Sequence, residues 1–447
     1  MARIYLSKSR VMSWRQCPKR LWLEVNRRED IAPSAGTQRR WDLGHKVNDV
    51  ARARYPSGVL VASERPGDAA KETAAVLSRR GDLIVFEPAF SSDGVFARAD
   101  LFFREGDGCR FIEVKGSNSL KPYHVEDAAV QAWVIAGGGR RVTAVSIAHL
   151  DRGFVYRGDG DYEDLFVEVD VGERVAAVLP EVPRWVAACR EVLGGDVPAV
   201  AMGRQCQDPY PCVAVPLCEA ERRGDPEVTS GGEPVLDRDA AAGLAVLPYP
   251  RFYLDFETID AAVPVWAGTR PWQQVPFQWS CHVERCAGEL DHLEFLDTSG
   301  GSPLRACAET LLAALEDAGP ILVYTDYESR VIKDLAARFD DLSEPLLALR
   351  ERLFDLYPVT RRAWYHPDLC GSWSLKAVLP TVAPDLDYAD LGEVREGAAA
   401  QVAYTEAVHA DTSPERADEL ARQMLAYCRL DTLALVRLTH FLEGRSS

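Results

Sequence analysis

The first half of the chain alternates between two hydrophobic periods, which predict helices and strands. Residues 1–55 have a helical pattern that begins at Ser7-Lys8-Ser9. A helical stretch from about His124 to Ala136 leads into an apolar strand, Val142–Ala148. Between these helical regions lie three strand-like runs, separated by turns rich in Gly, Ser and Asp: Leu83–Phe90, Val95–Phe103 and Arg110–Lys115. Three strands, a helix and a further strand predict an α/β core.

The pattern restarts near residue 250. Residues 221–250 are rich in Gly, Pro and Asp and have little periodicity, which is typical of a linker. The elements predicted next are a buried strand, two further strands, a helix and a short apolar strand, at Phe252–Glu257, Phe277–Val283, Leu290–Leu296, Pro303–Asp317 and Ile321–Tyr324. The remainder is mostly helical. A chain of 447 residues is too long for one ordinary core, so we predict two α/β domains, at 1–220 and 251–447.

Charge is distributed unevenly along the chain. The whole chain carries a net charge of −17, which by itself disfavours a polyanionic partner. Residues 1–55, however, hold 13 Lys and Arg against 5 acidic residues. A local basic surface of this kind can hold a phosphate backbone on an acidic protein, and a solvated helical face explains the same pattern equally well.

The sequence shows no sign of membrane insertion or secretion. No run of about 18 apolar residues is present, and the first residues lack the apolar stretch of a signal peptide. We therefore expect a cytoplasmic protein without a membrane partner. Eleven cysteines in a reducing compartment favour metal or cluster ligation by some of them over a disulfide framework.

Two short motifs in the first half carry the residues of a possible cation site. Asp100, in Arg98-Ala99-Asp100, and the pair Glu113 and Lys115, in Glu113-Val114-Lys115, each fall inside a predicted strand. The strand period of two puts Glu113 and Lys115 on one face, and the two strands should pair as a hairpin. The carboxylates could then share Mg²⁺ or Mn²⁺, with Lys115 beside the attacking water. A cross-strand salt bridge is the commoner explanation of such residues.

The flanking residues complete a recognisable order. His45 lies on the predicted upstream helix, and Gln131 lies on the helix that follows Lys115. The order His45, Asp100, Glu113-x-Lys115, Gln131 resembles the RecB-like branch of the PD-(D/E)XK nucleases. This resemblance implies a metal-dependent nuclease core in which His45, Asp100 and Glu113 hold the metal, Asp100, Glu113 and Lys115 are catalytic, and Gln131 lies near the substrate.

Four cysteines bracket the first predicted domain. Cys17 lies near its start, and Cys206, Cys212 and Cys218 close it. Four thiolates suit either a [4Fe–4S] cluster or a structural zinc, although zinc sites usually contain closely spaced cysteine pairs, which are missing here. The arrangement resembles the iron–sulfur RecB-like nucleases, including the CRISPR-associated adaptation exonucleases and the AddB subunit, and so implies a structural [4Fe–4S] cluster. The other cysteines have no ligand spacing and are predicted to pack: Cys109, Cys189, Cys281, Cys286, Cys307, Cys370 and Cys428.

A second acidic set is spread over the second half. Asp255 and Glu257 lie on one face of a predicted buried strand, where two like charges are costly unless a cation lies between them. Tyr427 and Asp431 lie four residues apart on one face of a long helix. The combination resembles the DnaQ-like 3′–5′ exonucleases of the ribonuclease H-like fold. This resemblance implies two Mg²⁺ or Mn²⁺ ions held by four acids, with Tyr427 orienting the attacking water.

The remaining acid of that set has two candidates. Glu328 stands at the position that the family pattern expects, and Asp326 is its competitor. Thr325 stands where the family usually has Asn.

Taken end to end, the chain resembles a bacterial family that fuses a RecB-like nuclease domain to a DnaQ-like domain of unknown function. The implied function is a metal-dependent nuclease that trims single-stranded ends, with DNA favoured over RNA. Two alternatives stay open. One is a non-catalytic nucleic-acid-binding scaffold with one or both sites degenerate, and the other is a ribonuclease that acts through its C-terminal domain.

Overall fold

The structure, a computed structural model, describes residues 6–32, 34–223, 233–369 and 371–445. The chain divides into two compact units, each built from two segments: Met1–Gly224 with Ala261–Trp272, and Asp225–Asp260 with Gln273–Ser447. Both units combine helices with β-sheets, which confirms the mixed α/β class. No helix among the described residues is long and apolar enough to cross a membrane.

The first unit is built around two sheets. Its helices are α1 (Lys8–Gln16), α2 (Pro18–Asn26), α3 (Ala35–Ala53), α4 (Pro66–Leu77), α5 (Pro122–Gly137), α6 (Gly172–Val178), α7 (Val182–Gly194) and α8 (Val215–Arg223). Its strands are β1 (Leu6–Ser7), β2 (Val59–Leu60), β3 (Leu83–Phe86), β4 (Ala89–Ser92), β5 (Val95–Arg98), β6 (Leu101–Glu105), β7 (Gly108–Lys115), β8 (Arg141–Leu150) and β9 (Phe166–Asp170). Six strands form one sheet in the order β2-β3-β6-β7-β8-β9, and three form a smaller sheet in the order β1-β5-β4.

Strand β7 lies in the interior of the larger sheet. It pairs antiparallel with β6, as the predicted hairpin requires, with Leu101 opposite Ile112. It pairs in parallel with β8, and α5 is the crossover between them. Helix α5 is buried on most of its faces because apolar residues surround its axis, among them Val130, Val134 and Ile135. The carboxyl end of β7 is therefore held between two strands and close to α5.

Two of the predicted strands are each divided in the structure. The run Leu83–Phe90 breaks at Glu87, which has a positive φ of 55°, and at Pro88, which has no N–H for a sheet. The run Val95–Phe103 breaks opposite this point, where Ala99 N donates to Pro88 O at 3.2 Å. The prediction that Asp100 lies inside a strand is therefore wrong, since it lies in the bend between β5 and β6.

The second unit contains a mixed five-stranded sheet. Its helices are α9 (Arg238–Ala245), α10 (Leu304–Ala314), α11 (Tyr327–Arg338), α12 (Asp340–Arg350), α13 (Leu356–Ala363), α14 (Leu375–Val382), α15 (Gly397–Ala407) and α16 (Pro414–Glu443). Its strands are β10 (Val235–Leu236), β11 (Arg251–Asp260), β12 (Gln274–Cys286), β13 (Glu289–Leu296), β14 (Ile321–Val323), β15 (Leu353–Asp355) and β16 (Trp364–Tyr365). The sheet order is β13-β12-β11-β14-β15, with β12 antiparallel to both neighbours and β11, β14 and β15 mutually parallel.

Helix α16 packs against the middle of this sheet. It is 30 residues long and contacts β11 and β12. Its start is fixed because the Ser413 side chain accepts a hydrogen bond from Arg416 N, with Pro414 in the first turn. Its end is fixed by Gly444, whose left-handed φ of 72° suits glycine. The helix thereby brings residues near its middle against β11.

The predicted linker is only partly a linker. Residues 224–232 lie outside the described residues, but residues 233–250 contain β10 and α9. Helix α9 begins at Asp237, whose carboxylate accepts hydrogen bonds from the first turn, and it buries Ala241 and Leu244 against α13 and α16. The sequence pattern missed this helix because eight residues give too few apolar positions to show a period.

A short segment of the second half belongs to the first unit. Residues 261–272 follow β11 in the sequence but pack with the first unit, where Ala262 is buried beside Leu43 and Leu150. The Tyr162 hydroxyl donates to Pro264 O at 2.9 Å. No signal in the sequence predicts this exchange between units.

Candidate metal centres

The first acidic site is assembled at the end of β7. Glu113 is buried, and its Oε1 accepts from Lys115 Nζ at 2.7 Å. Gln131 on α5 donates from Nε2 to Glu113 Oε2 and to Arg98 O, both at 2.6 Å. The structure therefore brings together Glu113, Lys115 and Gln131, as the sequence predicts.

Asp100 lies against the same strand. Its Oδ2 accepts a hydrogen bond from Val114 N at 2.7 Å, and Asn48 Nδ2 approaches its Oδ1 at 3.4 Å. Burial, together with the charge of Glu113, raises the pKa of Asp100 well above its ordinary value. A divalent cation would offset that repulsion, because it gives both carboxylates a partner of opposite charge.

Two residues of this site were missed by the sequence analysis. Asp127 on α5 accepts from Lys115 Nζ at 2.5 Å and from Lys8 Nζ at 3.1 Å. Lys8, at the start of α1, also donates to Glu113 Oε1 at 2.7 Å. Asp127 precedes Gln131 by four residues, so the helical period could have placed both on one face. Nothing in the sequence points to Lys8, which is 105 residues from Glu113.

These ion pairs keep the lysines and Glu113 charged. Burial works against the charged form of Glu113, but the charges of Lys115 and Lys8 outweigh it and hold its pKa below the ordinary value. Burial likewise opposes the charge of Lys115, yet Asp127 and Glu113 raise the pKa of that ammonium. The site is thus a compact set of alternating charges, which suits an anionic substrate and a cation together.

His45 does not join the site. It lies on an exposed part of α3, and its ligand atoms do not form a group with those of Asp100 and Glu113 within 4.8 Å. Asn48, three residues farther along α3, contacts Asp100 instead. The structure thus does not place the predicted imidazole ligand with the two carboxylates.

The first site opens into a basic cleft of about 910 Å³. Lys8, Lys115 and Asp127 line the cleft where it meets the acidic site. The other charged and aromatic residues that line it include Arg10, Arg20, Arg28, Arg40, Trp41, Tyr123 and Tyr210. The Trp41 side chain is large and apolar, yet the residue is 52% exposed. Cationic and aromatic side chains therefore line the same cleft.

The four predicted cluster cysteines come together. Cys17, Cys206, Cys212 and Cys218 line one small cavity. Cys17 lies between α1 and α2, whereas the other three lie on the segment that leads into and through α8. The Gln16 amide ties the two regions together by donating to Gln205 O at 2.9 Å and to Tyr210 O at 2.7 Å.

The spacing of these sulfur atoms bears on the choice between zinc and a cluster. No three of them lie within 4.8 Å of one another. A tetrahedral zinc site would hold its sulfurs about 3.8 Å apart, given Zn–S bonds of about 2.3 Å. A cubane cluster holds them farther apart, because each thiolate binds a different iron. The four sulfur atoms are therefore spaced more widely than in a tetrahedral zinc site, and their number and kind suit a [4Fe–4S] cluster.

The remaining described cysteines are mostly packing residues. Cys109, Cys189, Cys281, Cys307 and Cys428 are buried, as predicted. Cys286 is exposed, so the packing prediction is wrong for this residue. Cys370 lies outside the described residues.

The second acidic site joins β11 to α16. Asp255 and Glu257 project from one face of β11, and Asp431 projects from the middle of α16. One ligand atom from each lies within 4.8 Å of the other two, which makes this the one group of three potential metal ligands among the described residues. The sequence prediction for these three residues agrees with their placement.

Glu328, rather than Asp326, joins the second site. Glu328 is 2% exposed and hydrogen bonds with Asp255, while its Oε2 is buried with no hydrogen-bond partner. Asp326 is exposed and pairs with Arg330 at 3.2 Å. Asp255 thus links Glu328 to the triad, because it contacts Glu328 and also belongs to that group. A buried carboxylate oxygen without a hydrogen-bond partner is a suitable ligand for a metal ion.

Like charges perturb the acids of this site. Burial and the charge of Asp431 raise the pKa of Asp255 to about 8. Burial raises the pKa of Asp431 to about 6, and it raises the pKa of Glu257 well above its ordinary value with help from both aspartates. Three ionised carboxylates buried this close together repel one another and lose hydration, and a bound divalent cation would offset both costs.

Two tyrosines and a lysine surround Asp431. The Tyr388 hydroxyl donates to Asp431 Oδ1 at 2.5 Å, and Tyr427 also hydrogen bonds to Asp431. Lys376 Nζ lies 4.8 Å from the Tyr427 ring centre and 5.0 Å from that of Tyr388. Tyr427 was predicted from its spacing to Asp431, whereas Tyr388, 43 residues from Asp431, was missed.

Without a cation, we expect the stability of the protein to fall as the pH rises. The folded pKa of Asp255, about 8, exceeds the ordinary value of 3.8. The stability that this shift contributes is fully present below pH 3.8 and is lost as the pH rises through about 8. Thermal unfolding in EDTA should therefore occur about 5 °C lower at pH 8.5 than at pH 6. Asp255→Asn should remove most of this difference, and an equal difference in that variant would contradict the interpretation.

The family model and the relative that this chain resembles have descriptions that state no activity. Residues 252–374 match a domain of unknown function, DUF2779. This match includes Asp255, Glu257 and Glu328 but ends before Tyr427 and Asp431. The uncharacterized protein UU173 of Ureaplasma parvum is 33% identical over 64 residues, which are 14% of this chain and 9% of the relative. The chain thus matches only a small part of that relative's length.

Proposed function

We propose that this protein is a metal-dependent nuclease that hydrolyses phosphodiester bonds at the ends of single-stranded nucleic acid, with DNA as the preferred polymer, in the cytoplasm. One observation carries the proposal. Asp100, Glu113 and Lys115 lie together on β7 and the bend before β6, and Lys115 lines a basic cleft that also contains aromatic residues. A merely structural ion pair does not need such a cleft beside it.

In the first site, Asp100 and Glu113 would hold the divalent cation through carboxylate oxygens. Such a cation would polarise the phosphoryl group and lower the pKa of a bound water. Attack of that water would form a bond from its oxygen to phosphorus and break the bond to the leaving sugar oxygen. The attacking water would give up a proton to solvent, and the leaving oxygen would take one up from solvent. The Lys115 ammonium would stabilise the negative charge that develops on the phosphoryl oxygens. Its hydrogen bond to Asp127 would hold it in position if Glu113 bound the cation.

The second unit supports a second metal site of the same chemical type. Its sheet has the strand order three-two-one-four-five with the second strand antiparallel, which is the order of a ribonuclease H-like sheet. Asp255, Glu257, Glu328 and Asp431 would hold divalent cations, which would supply the same activation of water as in the first site. Tyr427 would orient the attacking water from the same helix as Asp431.

The four cysteines of the first unit would hold a [4Fe–4S] cluster with a structural role. They join the segment between α1 and α2 to the segment that ends in α8. This join stabilises the wall of the basic cleft, since Arg20 and Tyr210 line that cleft and lie close to the cysteines in the sequence.

The proposal is tested with anaerobically purified protein and end-labelled oligonucleotides. Single- and double-stranded DNA and RNA, each labelled at either end, are incubated with Mg²⁺, Mn²⁺ or EDTA. We expect Mn²⁺- and Mg²⁺-dependent shortening of single-stranded DNA and none in EDTA. The double variant Lys115→Ala with Asp255→Ala controls for contaminating nucleases, and Lys71→Ala with Asp326→Ala, at exposed residues, is its matched control.

The outcomes separate the proposal from its rivals. Binding without cleavage under every cation would replace the nuclease with a nucleic-acid-binding scaffold. Cleavage of RNA alone, abolished by Asp255→Ala and unaffected by Lys115→Ala, would assign the activity to the second site as a ribonuclease. Cleavage that persists in the double variant would refute catalysis by either site.

A further inference from the structure

Lys8 joins the first site from α1, far from the other members in the sequence. Its Nζ lies 2.7 Å from Glu113 Oε1 and 3.1 Å from Asp127 Oδ2. Lys115 Nζ contacts the same two oxygen atoms. Two ammonium groups therefore share one pair of carboxylate oxygens, although a single ammonium, with three N–H donors, could contact both.

The chain around Lys8 holds it in this position from both sides. On one side, Leu6 and Ser7 of β1 pair with Val95 and Phe96 of β5. On the other side, α1 begins at once, capped by the Ser7 hydroxyl, and the fully buried Val11 anchors it in the core. The Lys8 side chain is 17% exposed, so it is enclosed without being sealed from the cleft that it lines.

The far end of α1 is fixed as well. Arg15 forms an ion pair with Glu126 of α5 at 2.6 Å. The Gln16 amide is bound by backbone carbonyls of the cysteine-containing segment, and Cys17 follows directly. The helix is 9 residues long, so it connects the cysteine cavity to the acidic site as one rigid element.

The charge balance of the site gives Lys8 a role. Asp100, Glu113 and Asp127 carry three negative charges against the one positive charge of Lys115, so a divalent cation would make these four residues neutral together. Lys8 changes that balance to one positive charge when the cation is bound. An anionic phosphate is attracted by a positive site and not by a neutral one, so the second lysine supplies the charge that the substrate requires.

We propose that Lys8 is a second phosphate-binding lysine of the first site, presented to the scissile phosphate by α1. The inference rests on the proposed nuclease function. If Glu113 held the cation, Asp127 would remain as an acceptor for both lysines. Lys8 then has donors available toward the cleft, where the phosphate enters.

The test measures binding as well as cleavage. A fluorescein-labelled oligothymidylate is titrated with the full chain in Ca²⁺ at several salt concentrations, for wild type, Lys8→Met, Lys8→Arg and the exposed control Lys71→Met. Loss of one phosphate contact should lower the slope of log affinity against log salt by about 0.7 for a single strand. Single-turnover cleavage in Mn²⁺ should fall about 100-fold in Lys8→Met. Lys8→Arg should retain the wild-type salt slope, and Lys71→Met should resemble wild type in both assays.

Each outcome decides the proposal. A wild-type salt slope in Lys8→Met, even with lowered thermal stability, would make Lys8 a structural ion-pair residue and overturn the inference while the nuclease function stands. If Lys8→Met does not fold, Lys8→Gln takes its place, because an amide can donate to both carboxylates without a charge. If wild type neither binds nor cleaves any oligonucleotide, the proposed function itself fails, and the inference fails with it.

Discussion

Replacing Lys115 by alanine should lower the rate of metal-dependent DNA cleavage by about 100- to 1,000-fold. The ammonium contacts Glu113 and Asp127 and lines the basic cleft, so its loss removes one of the two ammonium groups beside the proposed cation site. The rate is measured under single-turnover conditions with end-labelled single-stranded DNA and Mn²⁺. Binding should change far less than the rate, because the arginines of the cleft remain.

The controls for this experiment separate chemistry from folding. Lys115→Ala leaves Glu113 and Asp127 with Lys8 alone, so the circular dichroism and unfolding temperature of the variant must be measured beside wild type. Lys71→Ala removes an exposed lysine whose side chain is 82% exposed and should cleave like wild type. Asp255→Ala, in the second unit, tells how much of the cleavage belongs to the other site. An unchanged rate in folded Lys115→Ala would remove the first site from the reaction.

Replacing Cys212 by serine should abolish the iron–sulfur centre and strongly destabilise the first unit. Wild type purified without oxygen is expected to be brown, with an absorption band near roughly 400 nm and about four irons per chain. The serine variant should lose that band and unfold about 10 °C lower, since cluster binding and folding of the joined segments are coupled. The measurements are absorption spectra, iron and zinc content, and thermal unfolding.

The matched control is Cys286→Ser. Cys286 is exposed at the end of β12 in the second unit, so the variant should keep both the iron and the stability of wild type. Colourless wild-type protein that contains zinc would overturn the cluster assignment. Brown protein that keeps its iron in Cys212→Ser would show that this residue is not a ligand.

The two acidic sites balance their charges in different ways. The first contains two lysines beside its carboxylates, so Glu113 remains ionised without a metal. The second consists of carboxylates with Lys376 lying over the tyrosine rings, so the pKa of Asp255 rises. Removal of divalent cations should therefore affect the stability of the second unit more than that of the first.

Some features of this protein follow from the sequence alone. The strand period of two puts Glu113 beside Lys115 and Asp255 beside Glu257, and the helical period puts Tyr427 beside Asp431. These relations hold because they depend only on the geometry of one element. The predicted α/β class and the main strands also agree with the structure. The four cysteines lie together as well, and the family resemblance had related Cys17 to the three distant cysteines.

Other features were decided only by the tertiary structure. Lys8 reaches Glu113 across 105 residues, and Tyr388 reaches Asp431 across 43, through contacts that no local period encodes. Glu328 rather than Asp326 joins the second site because of the side of α11 that faces β11. On α3, likewise, Asn48 rather than His45 contacts Asp100. Local periodicity fixes which residues share a face, but the partner of that face is set by how the whole chain packs.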